Sequence, residues 1–389
     1  MINEITTPIR RVKDRHVIAG RLAAIQEARV DVVHPMSALA WADGCGEANL
    51  NLTEPYLTPT GVVASLSGAA SPTALRHVAA RLDVPMPYLT RLNGSGNGDL
   101  AAYNINTLSG RNDKTVMSRW LMCEDGAYLR AVLSDRYGAI DNVDLVAAVI
   151  TGLKSAGVGL GDCEVDADIT DDRFRLRIAV PAIQQAAPDL LVGYRPPITP
   201  ARRLHDQTGG EDLPVLWAGL EISNSETGKG AVQLLPRAVV QVCRNGMTKT
   251  ADMLRQIHVA GRLQEGVIDW SESTKRKSLE LTTSQVEDAA RAFCSVSYLD
   301  KLIAEMRQAK GATVESPTTA VKIVAERIGL SEAEGKRVLD LFAASGDTTM
   351  FGLAQAVTVA AQYAPDGDRQ AEMEAEFWSV LNLGPVITA

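Results

Sequence analysis

Aromatic residues make up only 5% of this 389-residue chain, and its five histidines (His16, His34, His77, His205 and His258) never stand at metal-ligand spacing. Cysteine is as sparse: Cys45, Cys123, Cys163, Cys243 and Cys294 are scattered, odd in number and never arranged as CxxC. That pattern excludes a disulfide framework and a zinc knuckle. There is neither a Walker loop nor a GxGxxG, and Gly228-Lys229-Gly230 is too short to replace them, so nucleotide-driven chemistry has no support and no cofactor is implied. No apolar run is long enough for a bilayer and no secretory leader is present, so the expected home is a reducing cytoplasm, that of the host cell, with no membrane partner. Positive charge is also short: the net charge of −8 and pI near 5.3 argue against a protein that simply coats a polyanion.

What is present is an ordinary globular composition, 46% apolar and 22% charged. The length allows two or three domains. Charge is uneven along it: residues 1–30 hold six Lys/Arg against three Asp/Glu, 237–277 eight against four, and 364–389 one against five. A basic middle with an acidic tail is compatible with nucleic acid.

Residues 1–30 read as a basic, partly helical arm and 31–70, rich in Gly, Pro, Thr and Ser, as loops with short strands. Ser71-Pro72 opens a helix, proline costing nothing in the first turn. Residues 83–87 break it before a second short helix to Leu92, and NGSGNG (93–98) reads as a connector. Residues 117–124 and 127–133 form a hairpin about Asp125-Gly126. A helix is predicted over 143–156, and a further hairpin pairs 163–169 with 174–180 about Asp171-Asp172. Residues 184–213, with repeated proline and glycine, read as a long loop.

The most individual stretch is 216–249. Leu216, Ala218, Leu220 and Ile222 alternate with Trp217, Gly219, Glu221 and Ser223, the period of a strand with one buried face. Asn224, Ser225, Gly228 and Gly230 supply the turn, and Val232 to Val242 return, with Pro236 demanding an edge position or a bulge. Cys243-Arg244-Asn245-Gly246-Met247 makes a sharp corner, after which 248–263 reads as a helix. Ser284 to Glu287 reads as a capping box opening a helix stopped by Gly311. Further helices are predicted near 318–329, 332–344, 350–363 and 369–381, the second opened by the capping box Ser331 to Glu334.

Three stretches carry a family resemblance: LSDRYGAIDNVDL (133–145), EISNSETGKGAVQL running into VVQVCRNGMT (221–248), and TTMFGLAQAVT (348–358). Together they make the chain resemble the phage/plasmid-like family known as domain of unknown function 932, over about residues 115–360. Gln355 departs from that pattern, where an asparagine is expected. The resemblance implies a protein of a mobile element and brings no activity and no catalytic residues. Asn224, Ser225, Gly228, Cys243, Asn245 and Gly246 are its structural motif, with Cys243 expected to be buried.

Each candidate chemistry has a plain rival. Asp166 and Asp168 share a strand face beside Asp171 and Asp172, a geometry suited to Mg²⁺, yet turn-making and solubility explain them as well. Cys243 and His258 would be a thiol pair without an oxyanion hole, so a structural cysteine is the simpler reading. Residues 74–92 and 320–342 pattern as helix-turn-helix pairs. The first, however, carries only Arg91 on its second helix, and Glu332 and Glu334 open the second helix of the other, facing phosphates with like charge.

The basic set is the best candidate. Arg173, Arg175 and Arg177 alternate along one strand and so share a face. Arg237, Arg244 and Lys249 flank the corner, Arg255 and Arg262 are seven apart on the predicted helix, and Lys275, Arg276 and Lys277 follow. An arginine row on a sheet is an efficient phosphate surface, its rival being pairing with Asp166 and Asp168 across the hairpin. The reading is an α+β fold of antiparallel β-hairpins packed on helices, followed by an all-helical C-terminal subdomain. Its parts are an N-terminal arm and helical region (1–110), an α+β core with three hairpins (111–270) and a helical C-terminal region (271–389). The expected function is a non-catalytic phage or plasmid DNA-transaction protein, an annealing or recombination accessory binding single-stranded or partly melted DNA, with self-association compatible. The alternatives are a modulator that binds a host protein and no nucleic acid, and a metal-dependent nuclease on Asp166 and Asp168.

Overall fold

Two sheets organise the molecule, and the chain enters the first, leaves to complete the second, and then returns. A computed structural model describes residues 2–58, 61–112, 114–124, 126–138, 140–190, 215–240, 246–249, 252–256, 272–310 and 312–387. The first sheet holds β1 (Ile9–Val12), β8 (Glu164–Ile169), β9 (Phe174–Ala186), β10 (Val215–Asn224), β11 (Val232–Val240) and β12 (Gly246–Thr248) in that spatial order, with β13 (Leu254–Gln256) also paired to β11. The second holds β2 (Arg29–Pro35), β3 (Leu39–Ala42), β4 (Glu47–Thr58), β5 (Gly61–Ala70), β6 (Thr115–Cys123) and β7 (Gly126–Ser134), ordered β2-β6-β7-β5-β4-β3. Among the described residues, all pairings are antiparallel except β5 with β7.

Strict alternation gives the first sheet two unlike faces. Leu176, Ile178 and Val180 of β9, Leu220 and Ile222 of β10, and Val232 and Leu234 of β11 point into the main hydrophobic core. There they meet α6 (Asn142–Ser155), α7 (Glu272–Phe293) and α8 (Val296–Lys310). The opposite face carries Asp166, Asp168, Arg175, Arg177, Glu221 and Arg237, and α12 (Gly367–Ala375) lies over it. Between them run α9 (Pro317–Ile328), α10 (Glu332–Ser345) and α11 (Met350–Ala361), the last buried along its whole length. The second sheet has its own core with α3 (Pro72–Arg81), α4 (Met86–Gly94) and α5 (Gly98–Ser109) around Trp41 and Trp120.

The α+β class and the helical C-terminal part are borne out, as are the three hairpins over described residues. Local chemistry explains these agreements: Ser71 caps α3 through Ala74 N–H, and Ser331 and Glu334 form the capping box of α10. Pro236 pairs with Leu220, and its carbonyl accepts from Lys249 N–H at 3.1 Å in the gap between β12 and β13. Its missing donor lies on that same side, where the β11–β12 pairing stops at Arg237–Thr248.

Other expectations are corrected. The described part of 31–70 is mostly strand, β2 to β5 of the second sheet, and the basic arm contains β1, an edge strand of the first. Asn93 and Gly94 close α4 and Gly98 opens α5, so three residues, 95–97, remain of the expected connector. The helix expected over 248–263 is absent from its described part: Leu254–Gln256 is β13, paired with β11, and 257–263 lie outside the described residues. Ser284 stands inside α7 and begins nothing, because the preceding residues continue the helix, which ends instead at Phe293, before α8. The hairpin β6–β7 joins the N-terminal strands, so the sheet crosses the expected division at 110/111.

Candidate functional site

On the charged face of the first sheet, each arginine of the row meets carboxylates. Arg177 donates to Asp166 Oδ1 and Asp168 Oδ2, both at 2.9 Å, and to the Gly367 carbonyl at 3.1 Å. Arg175 is paired with Glu221 and, at 2.9 Å, with Asp368, which also takes Arg173 at 3.0 Å. Arg237 Nη2 reaches both oxygens of Glu374 at 3.0 and 2.9 Å. The expectation of a solvent-facing row is thereby corrected: the shared face is real, but Arg177 is 2% exposed and Arg175 8%, beneath α12. Burial alone would lower the Arg177 pKa; Glu221, Glu374, Asp168 and Asp166 outweigh it and raise it. Burial likewise pushes Glu221 up, and Arg175, Arg177 and Arg237 together hold it below the usual carboxylate range.

The remaining predicted positions disperse. Lys249 is bound to Glu305 at 2.7 Å and stands 5.3 Å from the Trp378 ring centroid. Arg255 lies in β13, so the helical face it was to share with Arg262 does not exist; Arg262, Arg244, Cys243, Asn245 and His258 lie outside the described residues. Lys275, Arg276 and Lys277 lie on α7, Arg276 and Lys277 exposed and Arg276 beside Glu280 at 3.7 Å. Gly246 opens β12. Cys45, Cys163 and Cys294 are free thiols that burial pushes up to about 11, 11 and 12, far from thiolate reactivity at neutral pH.

Residues 224–227 of the motif form a buried plug between the sheets, with Gly228 exposed at its end. Asn224 donates to the Ile140 carbonyl and to Asn142 Oδ1 at 2.8 and 2.9 Å, and Ser225 Oγ accepts from Lys229 N–H at 2.9 Å. Gly228 has φ +80°, a conformation that L side chains seldom adopt. Glu226, 4% exposed, accepts from Arg130 Nη1 and from Asn142 N–H, both at 2.9 Å, and its carbonyl takes Arg119 Nη1 at 3.2 Å. Arg119 in turn holds Asp31 with two 2.8 Å bonds, and Arg130 holds Asp171 at 3.1 Å. Sequence reasoning missed Arg119 and Arg130, since nothing local distinguishes them from surface arginines.

It also passed over the more open basic feature. A cleft of about 600 Å³ opens on the charged face, walled by Ala179 and Val239, with Arg177 and Arg237 lining it and Arg11, Lys13 and Arg15 at its mouth. Its carboxylates are Glu164 and Asp166. β1 supplies the basic mouth through a bulge: Arg11 has φ +52°, and its N–H donates to Asp168 Oδ1 at 3.0 Å. Arg10 donates to the Pro365 carbonyl at 3.0 Å, Arg11 to the carbonyls of Gln362 and Ala364 (the latter at 3.2 Å), and Arg15 to those of Gly161 (3.1 Å) and Cys163. Among the described residues, these three arginines thus meet only carbonyls in their side-chain hydrogen bonds, and exposed Lys13 has no ion-pair partner. The dipeptide Arg10-Arg11 between Ile9 and Val12 was the available signal. No family model, curated protein or solved structure matches the chain.

Proposed function

We propose that the protein binds single-stranded or partly melted DNA without catalysis, as an accessory in phage or plasmid DNA transactions. The observation that carries this reading is the edge strand β1 and its flank, where the charges of Arg10, Arg11, Lys13 and Arg15 meet no carboxylate at ion-pair distance among the described residues. Uncompensated cations in a row along an exposed edge favour a polyanionic backbone. The phage or plasmid setting rests on the resemblance alone. The contact surface differs from the arginine row read in the sequence, whose members are engaged by carboxylates of the chain itself. Asp166 and Asp168 converge on a cation of the chain itself, the Arg177 guanidinium, which a metal ion would have to displace, and this weighs against the nuclease reading.

The test is fluorescence anisotropy with an internally labelled, unphosphorylated single strand. Affinity is expected to fall steeply between about 50 and about 200 mM salt, with a log–log slope near −3 for four phosphate contacts at about −0.7 each. Arg10→Glu with Lys13→Glu is expected to weaken binding and flatten that slope by about 1.4. Absence of salt-dependent binding by the wild-type chain sinks the proposal. One observation favours the host-protein reading instead: Tyr88, Leu100 and Tyr103 on α4 and α5 are 43%, 47% and 66% exposed.

A further inference from the structure

We infer that the cleft beside β1 takes a terminal nucleotide phosphate, an inference that rests on the proposed nucleic-acid binding and names its ligand more closely. The shared chemistry is a nucleoside monophosphate, presented either by the phosphorylated end of a strand or as a free nucleotide. The cleft's volume of about 600 Å³ lies within the range of about 300–1,000 Å³ for small-molecule sites. A continuous backbone tracks along a surface; a half-open cleft of this size has room for the end of a chain or a free nucleotide.

Its lining has two parts, as a nucleotide does. Arg177 and Arg237, 2% and 7% exposed, line it, and the Nε of each is buried without a hydrogen bond; Arg177 Nε lies 3.5 Å from Glu221 Oε2 outside bonding geometry. Beside them Ala179 and Val239, part of a small apolar cluster with Trp217, form a hydrophobic step for a sugar or base. At the mouth, Arg11, Lys13 and Arg15 leave a surplus of positive charge. Charge decides between an internal and an end phosphate. A phosphodiester carries one negative charge, whereas a terminal monoester carries about −1.5 to −2 at neutral pH, its second pKa being near 6. The surplus is better matched by the second.

The experiment uses the full chain and three probes: an internally labelled strand with a terminal 5′-hydroxyl, the same strand with a 5′-phosphate, and a deoxynucleoside monophosphate alone. The phosphorylated strand is expected to bind about tenfold more tightly, to lose that advantage below pH 6, and to lose it in Val239→Phe, which fills the cleft. Thermal melting checks that this variant is folded, and the wild-type comparison stands without it. The mononucleotide is expected to compete with the phosphorylated strand and to raise the melting temperature of the wild-type chain. Equal affinity for both strands with no mononucleotide effect overturns the inference and leaves the DNA-binding proposal intact. Mononucleotide binding without strand binding assigns the cleft to a free nucleotide and overturns the DNA-binding proposal instead.

Discussion

Glu226 shows how one carboxylate acts on both sides of a boundary. It compensates Arg130 and satisfies Asn142 N–H at the start of α6, all within a loop that is nearly closed to water. Glu226→Ala leaves a buried guanidinium with a single carboxylate, and a loss of about 3–5 kcal/mol is expected in urea unfolding. Glu226→Gln retains an acceptor for Asn142 N–H and is expected to lose less. Two further residues set the acid limb of stability. Burial, reinforced by Arg81, lowers His77 from 6.5 to about 4, so the unfolded chain binds its proton first and stability falls as pH drops from 6.5 towards 4. Glu334, held at about 2 by hydrogen bonds from Arg369, adds a loss as pH falls below 4.5. Glu334→Gln is expected to flatten the lower part of that limb in unfolding measured as a function of pH.

Individual elements follow their local signals closely, and that is where the sequence was most legible. Ser331→Ala removes the side-chain oxygen that accepts Glu334 N–H at the start of α10, and a cost of about 1 kcal/mol is expected by thermal melting. Gly152 marks the contact of α6 with α7: a Cβ there would stand 2.5 Å from the Glu287 carbonyl. Gly152→Val is therefore expected to separate the two helices and destabilise the fold well beyond the roughly 1 kcal/mol typical of a point mutation. The hairpins β6–β7 and β8–β9 and the caps of α3 and α10 could be read because their determinants lie within a few residues. β13 was misread as helix because Leu254–Gln256 owes its conformation to pairing with Val232–Leu234, some twenty residues away.

At the scale of the molecule, the candidate site was half legible. Alternation placed Arg173, Arg175 and Arg177 on one face, but the groups of α12 that meet Arg177 and Arg175, the Gly367 carbonyl and Asp368, lie 190 and 193 residues away. No local pattern reports such a partner. The two cores are joined by the plug at Glu226, and Arg119 and Arg130 reach into it from the second sheet. One cooperative unfolding transition is expected for the wild-type chain, by both circular dichroism and tryptophan fluorescence. Glu226→Ala is expected to separate it into two, and coincident probes in that variant would refute the coupling.

The pairing of β1 with β8 also sets an order of assembly. Arg11 and Asp168 lie 157 residues apart, an interval of about ten seconds or more at the ribosome. Throughout that time β1 has no strand to join, although its alternate partner, any other exposed strand edge, is always at hand. Arg10, Arg11 and Lys13 then repel neighbouring nascent chains, as charges on unpaired edges do. Neutralising the residues proposed to hold DNA in the finished protein is therefore expected to lower soluble yield as well as affinity.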